Sequence, residues 1–250
     1  MGAGKSNNLD LNMCFVLYMY IERRVDMTKY TINSTYLDMI DSHRKAYILG
    51  LIYADGNINK KCNQLNICTT VDNKDWLQNV VMDISPDIDI KIRRARKEWN
   101  QSRDIARLIV CNQHICKSLL EHGVVPCKSL HMSIPQIDES YVNSFICGYF
   151  DGDGNIGWRV KDIYMRLIIT GQKNLLMWIQ AYLTKQHMKS HIYADKRTNA
   201  HYLQINSQTY VKMFMDLIYR DVDLYMPAKR NKYIDMSKRS SCKVWTNLHM

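Results

Sequence analysis

Residues 46–58 read A-Y-I-L-G-L-I-Y-A-D-G-N-I, and residues 145–156 read F-I-C-G-Y-F-D-G-D-G-N-I. Each is a nearly continuous apolar run that breaks at an Asp-Gly pair, and Asp153 follows Asp55 at an offset of 98. A helix that is apolar all round is a buried helix, and Gly56 and Gly154 mark its stop. A repeat of this length predicts two similar halves rather than one irregular domain. Gly50 and Gly148 stand at equivalent places in the two runs. Glycine in a helix interior costs about 1 kcal/mol relative to alanine. Its use here is explained if two helix backbones approach closely, as in membrane helix pairs. Ala54 and Gly152 continue the small face. The expectation is two parallel helices about a pseudo-twofold axis, with Asp55 and Asp153 emerging side by side.

Outward from these runs the pattern repeats. In the first half, Asp41 or Ser42 caps a helix starting near His43. A strand follows at 64–70, a helix at 74–84, an alternating segment at 88–95, a strand at 103–111 and a helix at 112–122. In the second half the order is helix 141–152, strands 155–160 and 164–170, helix 173–187, strands 191–196 and 201–206, and helix 208–219. Further landmarks recur: N-K-D-W-L at 73–77 against Q-K-N-L-L at 172–176, and P-C-K-S at 126–129 against P-A-K-R at 227–230. The predicted class is α+β, two pseudo-symmetric αββαββα halves with antiparallel sheets. The divisions are an N-terminal helical extension (1–35), a first half (36–130), a linker stiffened by Pro135 (131–140), a second half (141–235) and a basic tail without a readable period (236–250).

The chain has 250 residues, enough for a full core, and a formal net charge of +10 from 34 Lys+Arg against 24 Asp+Glu. That surplus points to a polyanionic partner, nucleic acid ahead of an anionic membrane. Eight cysteines form no C-x-x-C and no zinc spacing, and several lie in apolar runs, as reduced cysteines of an intracellular protein do. The longest apolar stretch near the N-terminus, 13–21, is too short to span a bilayer, so no membrane segment is predicted. The opening M-G-A-G-K-S contains G-K-S, but a phosphate-binding loop needs an earlier glycine and a preceding strand. It also fits a myristoylation pattern that nothing else supports.

Two carboxylates at the C-terminal ends of two packed helices repel each other and face the negative ends of both dipoles. Divalent cations with oxygen ligands relieve this, Mg2+ foremost, since it takes one or two carboxylates together with substrate phosphates. Such a site can activate water against a phosphodiester. Lys128 and Lys229 follow each half's last predicted helix and could flank the acids, offering charge to a phosphate. Asn73 and Gln172 open each half's second helix, as caps or as orienters of water. If helices cover one face of each sheet, the other face is polar. Its candidate members are Gln64, Asn66, Lys91, Arg93, Arg103, Arg107, Arg166, Tyr193, Arg197, Gln204 and Asn206. Arg, Gln and Asn are the side chains that read guanine and adenine edges in the major groove, which a β-ribbon fits.

The runs I-L-G-L-I-Y-A-D-G (48–56) and I-C-G-Y-F-D-G-D-G (146–154) resemble the two copies of the LAGLIDADG motif. The chain is similar to the two-repeat LAGLIDADG homing endonucleases over about residues 36–235. The resemblance implies motif helices at a central interface and a saddle of sheets over double-stranded DNA. It also implies a monomer making Mg2+-dependent double-strand breaks with 3′ overhangs at a long target. Asp55 and Asp153 would hold two or more shared divalent ions, joined by the backbone carbonyls of Ala54 and Gly152. Lys128 and Lys229 would be the pocket lysines, and Gln172 and Asn73 the pocket amides. Tyr53 departs from the motif, standing where the second copy keeps Asp151. The alternatives on this scaffold are an RNA maturase, a non-cleaving DNA-binding protein, or a nickase. The implied setting is intracellular: the cytoplasm of a phage- or virus-bearing host, or an organelle such as the mitochondrion.

Overall fold

The computed structural model describes residues 30–59, 63–95, 103–125, 133–158, 165–195 and 200–247, with side chains as far as Lys238 in the last segment. Residues 1–29, Lys128 and Arg197 therefore lie outside the described residues, and with them most of the expected N-terminal extension.

The first half runs α1 (His43–Asp55), β1 (Gly56–Asn59), β2 (Gln64–Thr70), α2 (Lys74–Val81), β3 (Lys91–Arg93), β4 (Ile105–Cys111) and α3 (Gln113–Glu121). The second runs α4 (Val142–Asp153), β5 (Gly154–Trp158), β6 (Met165–Gly171), α5 (Lys173–Lys185), β7 (His191–Ala194), β8 (His201–Ile205) and α6 (Gln208–Ile218), and a further helix α7 (Pro227–Asn247) closes the chain. Each half builds one antiparallel four-stranded sheet, in the orders β1-β2-β4-β3 and β5-β6-β8-β7. The predicted αββαββα pair is thus the observed fold.

Strand alternation decides which face each helix covers. On β2 and β4 the inward residues Leu65, Ile67, Ala106, Leu108 and Val110 are buried, and Trp76, Leu77, Ile115 and Leu119 from α2 and α3 are buried with them in one core. On β6 and β8, Leu167, Ile169, Leu203 and Ile205 do the same beneath Leu176, Ile179 and Phe214. Truncating any of the leucines or isoleucines among these to alanine should cost about 2–5 kcal/mol.

The two halves meet through α1 and α4. Near their N-termini, the His43 ring packs edge-on to Tyr141 at 5.2 Å, and His43 Nδ1 is 2.9 Å from Ser144 Oγ. In the middle, a Cβ on Gly50 would collide with the carbonyl oxygen of Phe145 and stand 2.9 Å from Tyr149 N. A Cβ on Gly148 would collide with the carbonyl oxygen of Tyr47 and stand 2.9 Å from Leu51 N. At the far end Gly152 meets Ala54 and Asp55. The contacts pair start with start and end with end, so the helices are parallel. The reciprocal glycine contacts are the signature of a pseudo-twofold.

Several boundaries differ from the sequence reading. The 74–84 helix stops at Val81, because Ile84 and Ser85 N–H both turn back to Val81 O. Of the alternating segment 88–95 only Lys91–Arg93 pairs in the sheet, while Ile88 and Ile90 are buried without being in a strand. The unpatterned tail is helical: α7 begins at Pro227 and continues through it to Asn247. Among its described side chains Met236 is buried and Tyr233 partly so, too few apolar positions to print a period on a polar sequence. No helix among the described residues is long and apolar enough to cross a membrane.

Candidate active site

The site is built where α1 and α4 hand the chain to β1 and β5. Gly56 N–H closes on Ile52 O and Gly154 N–H on Phe150 O, yet both glycines have ordinary negative φ, −70° and −87°. Their role is one of space rather than left-handed geometry. A Cβ on Gly56 would stand 2.7 Å from Ile52 Cγ2, and one on Gly154 would strike the Phe150 ring. The helix therefore ends at the acid, and the strand begins at the next residue. Asp55 and Asp153 are both only partly buried at these ends. Asp55 Cγ and Oδ2 lie 3.3 Å from the place a Gly152 Cβ would occupy, so the carboxylate of one half rests on the backbone of the other, one residue before its acid.

Lys229, in the first turn of α7, donates from Nζ to the carbonyls of Phe150 (2.7 Å) and Gly152 (3.1 Å). Its ammonium is 5.3 Å from the Phe150 ring centroid. It thus satisfies C-terminal carbonyls of α4, the position where a cation best meets the dipole. Burial pulls its pKa down, and the negative charges of Asp151, Asp55 and Asp153 pull it back up. The structure brings together Asp55, Asp153, Gly152 and Lys229. Tyr149 is close enough that both acids raise its pKa, after burial.

The pocket amides fare differently. Asn73 sits just before α2, but its side-chain amide donates to Thr69 Oγ1 (3.1 Å) and Thr70 Oγ1 (3.2 Å). It ties a strand end to a helix start rather than capping the helix. Gln172 precedes α5 and accepts Leu176 N–H on its carbonyl. Lys232, one turn beyond Lys229, was absent from the sequence reading; its Nζ is 3.5 Å from Asn155 Oδ1. Recognising 227–247 as a helix would have found it, since residues three apart share a face.

The two positions of the motif's first acid, Tyr53 and Asp151, do different work. Tyr53 donates to His122 O (2.5 Å) at the end of α3. Asp151 is fully buried and accepts from Tyr47 OH (2.6 Å) and from Met226 N–H (2.6 Å), with Tyr219 OH at 3.5 Å. It fixes the residue just before α7, and so the approach of Lys229. Burial pushes the Asp151 carboxyl up to about 6 against these hydrogen bonds. Asn is isosteric, and its oxygen can keep both 2.6 Å bonds. Asp151→Leu leaves Met226 N–H and Tyr47 OH without that acceptor and should lose about 3 kcal/mol. Because the folded state holds the Asp151 proton more tightly than the unfolded chain, its contribution is present below the unfolded value and lost as pH rises through about 6. In urea melts, wild type should therefore fall behind Asp151→Asn between about pH 4 and 6, and then run parallel to it at a constant deficit.

The outer sheet faces place the remaining candidates. Gln64 and Asn66 do point outward, but Asn66 is 8% exposed: Arg107 Nη2 donates to its Oδ1 at 2.8 Å, and its amide donates to Gln64 Oε1. Lys91 stands directly across from Arg107 in the β3–β4 register, and Arg93 across from Ile105. Arg103 is exposed on the approach to β4 rather than in the strand. Arg166, across from Gly157, shares the second outer face with Gln204. Tyr193 is exposed on β7, and Asn206 lies just past β8. Missed from the sequence are Thr170 and Tyr202, which line one groove with Arg166, Tyr193 and Gln204, a space of about 960 Å3.

Residues 140–219 match the LAGLIDADG-like domain family. No curated protein sequence matches the chain. Among solved structures it is similar to the meganuclease I-SmaMI bound to uncleaveable DNA with a TTGT central four, with 13% identity, 81% of this chain and 90% of that one covered, and a TM-score of 0.53. It is similar also to I-SmaMI bound to an uncleaved DNA target in the presence of calcium ions (12%, 81% and 92%, 0.51). A third likeness is to the I-LtrWI LAGLIDADG homing endonuclease bound to target DNA (13%, 84% and 91%, 0.50). At such identities the likeness is one of fold. The second half of this chain thus carries a LAGLIDADG-like domain, and the whole has the two-half fold of the LAGLIDADG homing endonucleases.

Proposed function

We propose that the protein is a site-specific DNA endonuclease that binds double-stranded DNA across its two sheets as a monomer and cuts both strands at a long target, leaving 3′ overhangs. The observation that carries this reading is the meeting of α1 and α4: the Asp55 carboxylate on the Gly152 backbone, with Lys229 holding the carbonyl of the same glycine. The donors there suit a hard divalent ion. Asp55, Asp153 and the carbonyls of Ala54 and Gly152 are all oxygen ligands, and two acids at two helix ends hold surplus negative charge. Among the described residues no three Asp, Glu, His or Cys side chains are grouped so that they alone could hold a metal ion, so phosphate, water and backbone would complete the shell. When bound, Mg2+ would lower the pKa of a water and stabilise the leaving oxygen.

The chain's own residues do the rest. Lys229, partly buried beside the acids, offers positive charge where a phosphate gains negative charge. The parallel helices hold the two acids in one place through backbone contact, which leaves little freedom to lose on reaching the reactive geometry. Lys91, Arg93 and Arg107 form a cationic outer face suited to phosphates and guanine edges. We place the protein inside cells, in an organelle or in the cytoplasm of a host carrying mobile DNA.

The test is direct. Purified protein is incubated with a randomised plasmid-target library and Mg2+, and the linear products are sequenced. Recurrent cut sites with 3′ overhangs are expected, and EDTA should suppress them fully. DNA binding without any cut in any target would sink the endonuclease reading and leave a binding protein on this scaffold. Tight binding to structured RNA alone would point to a maturase.

A further inference from the structure

The two halves share a backbone plan, but their outer sheet faces differ in charge. On the first sheet, Lys91 stands directly opposite Arg107. Like charges facing each other across an antiparallel pair are destabilising, and a polyanion laid over them removes that cost. Arg107 is also fixed in direction by its bond to Asn66 Oδ1, which pre-orients the guanidinium.

On the second sheet the corresponding space is lined mainly by aromatic, aliphatic and amide groups and His201, with Arg166 and Asp195 bringing one charge of each sign. Tyr193 pairs with Tyr202, their ring centroids 5.5 Å apart. Thr170 pairs with Tyr202, and Ile168 with Gln204. These residues line the groove of about 960 Å3, in which Arg166 is the only Lys or Arg among the described lining residues. Gln204 donates to Asn206 Oδ1 at 2.5 Å, giving an ordered pair of amides at the end of β8.

Base edges distinguish these surfaces. Arg and Lys suit the O6 and N7 of guanine, Asn and Gln suit the N6 and N7 of adenine, and apolar groups suit the thymine methyl. We propose that the two halves read chemically unlike half-sites: guanine-containing under the first sheet, A·T-rich with thymine methyls turned toward Ile168, Thr170 and Tyr193 under the second. The inference rests on the DNA-binding reading above. Its corollary is that the ionic contribution of the sheet faces belongs mainly to the first half.

The experiment is a binding selection on the full-length protein with a fully randomised duplex, in Ca2+, followed by sequencing. The recovered sites should be asymmetric, one half enriched in A·T and the other carrying guanine. Arg107→Ala should relax only the guanine half, by roughly 5- to 100-fold at the position it reads, and should reduce the slope of log affinity against log salt by about 1. Thr170→Ala with Tyr193→Ala should relax only the A·T half and leave the salt slope unchanged. Recovered sites of equal composition in both halves would overturn the proposal, as would relaxation of the A·T half by Arg107→Ala. Absence of any DNA binding is a separate result, which would sink the DNA-binding reading itself. Circular dichroism of each variant identifies loss of fold.

Discussion

Asp55→Asn and Asp153→Asn should each lower cleavage by on the order of 10^3-fold or more while leaving DNA affinity intact or slightly improved. The effect is electrostatic. Each substitution keeps the size and shape of the side chain but removes one of the two negative charges gathered at the ends of α1 and α4. A divalent ion bound by two carboxylates and backbone oxygens loses about half its anionic ligands. DNA meets the same site with its own negative charge, so removing a carboxylate does not oppose binding. The two losses should not add, because residues that act as a unit are grossly non-additive: the double variant should cut little less than either single one. Binding is read by gel shift and cutting by plasmid linearisation. If both single variants linearise DNA at the wild-type rate, the acid pair is not the site. If one of them yields only nicked circles, the two acids serve different strands unequally.

The second large effect is expected on stability. A Cβ at Gly50 falls inside contact distance of the Phe145 carbonyl, and one at Gly148 inside that of the Tyr47 carbonyl, with a backbone nitrogen 2.9 Å away in each case. The obstacle is main chain, not the end of a flexible side chain, so relief requires the helices to separate. Overpacking usually costs about 1–3 kcal/mol, and separation of a fully buried interface adds lost contacts along its whole length. Gly50→Ala and Gly148→Ala should each lose about 3 kcal/mol or more, which for a chain of this size is a fall of roughly 6–12 °C in Tm. Gly157→Ala is the control, since nothing lies within 4 Å of its added carbon; it should stay within about 1 kcal/mol. Thermal melts of the three variants decide the matter. A Gly148→Ala protein that melts with wild type would mean that the helices do not cross so closely.

Much of this was legible in the sequence because it lies in repeated, strongly apolar segments. Two runs ending in Asp-Gly fixed the direction and depth of α1 and α4, and strand alternation gave the buried faces of β2, β4, β6 and β8. What was not legible depends on neighbours distant in the chain. Met226, just before α7, is held by a buried Asp151 seventy-five positions earlier, and nothing in a window around Pro227 records that. Asn73 reads as a cap or a pocket amide, and only the fold shows Thr69 Oγ1 and Thr70 Oγ1 accepting hydrogen bonds from its side chain. Asn66 alternates with buried Leu65 and Ile67, yet Arg107 and Gln64 close over it, and side-chain pairs across a sheet depend on register that a sequence does not state.

The bond between Tyr47 and Asp151 bears on how freely the halves could be exchanged. Tyr47 and Phe145 hold equivalent places in the repeat, as do Tyr53 and Asp151. Two copies of the second half, joined about the same axis, would bury each Asp151 against a phenyl ring with no hydroxyl to donate. Two copies of the first half would set Tyr47 against Tyr53, with no carboxylate between them. Each half therefore supplies what the other lacks, and the duplication has become a division of labour: neither half can stand in for its partner, and the single chain ensures that they always meet as a pair.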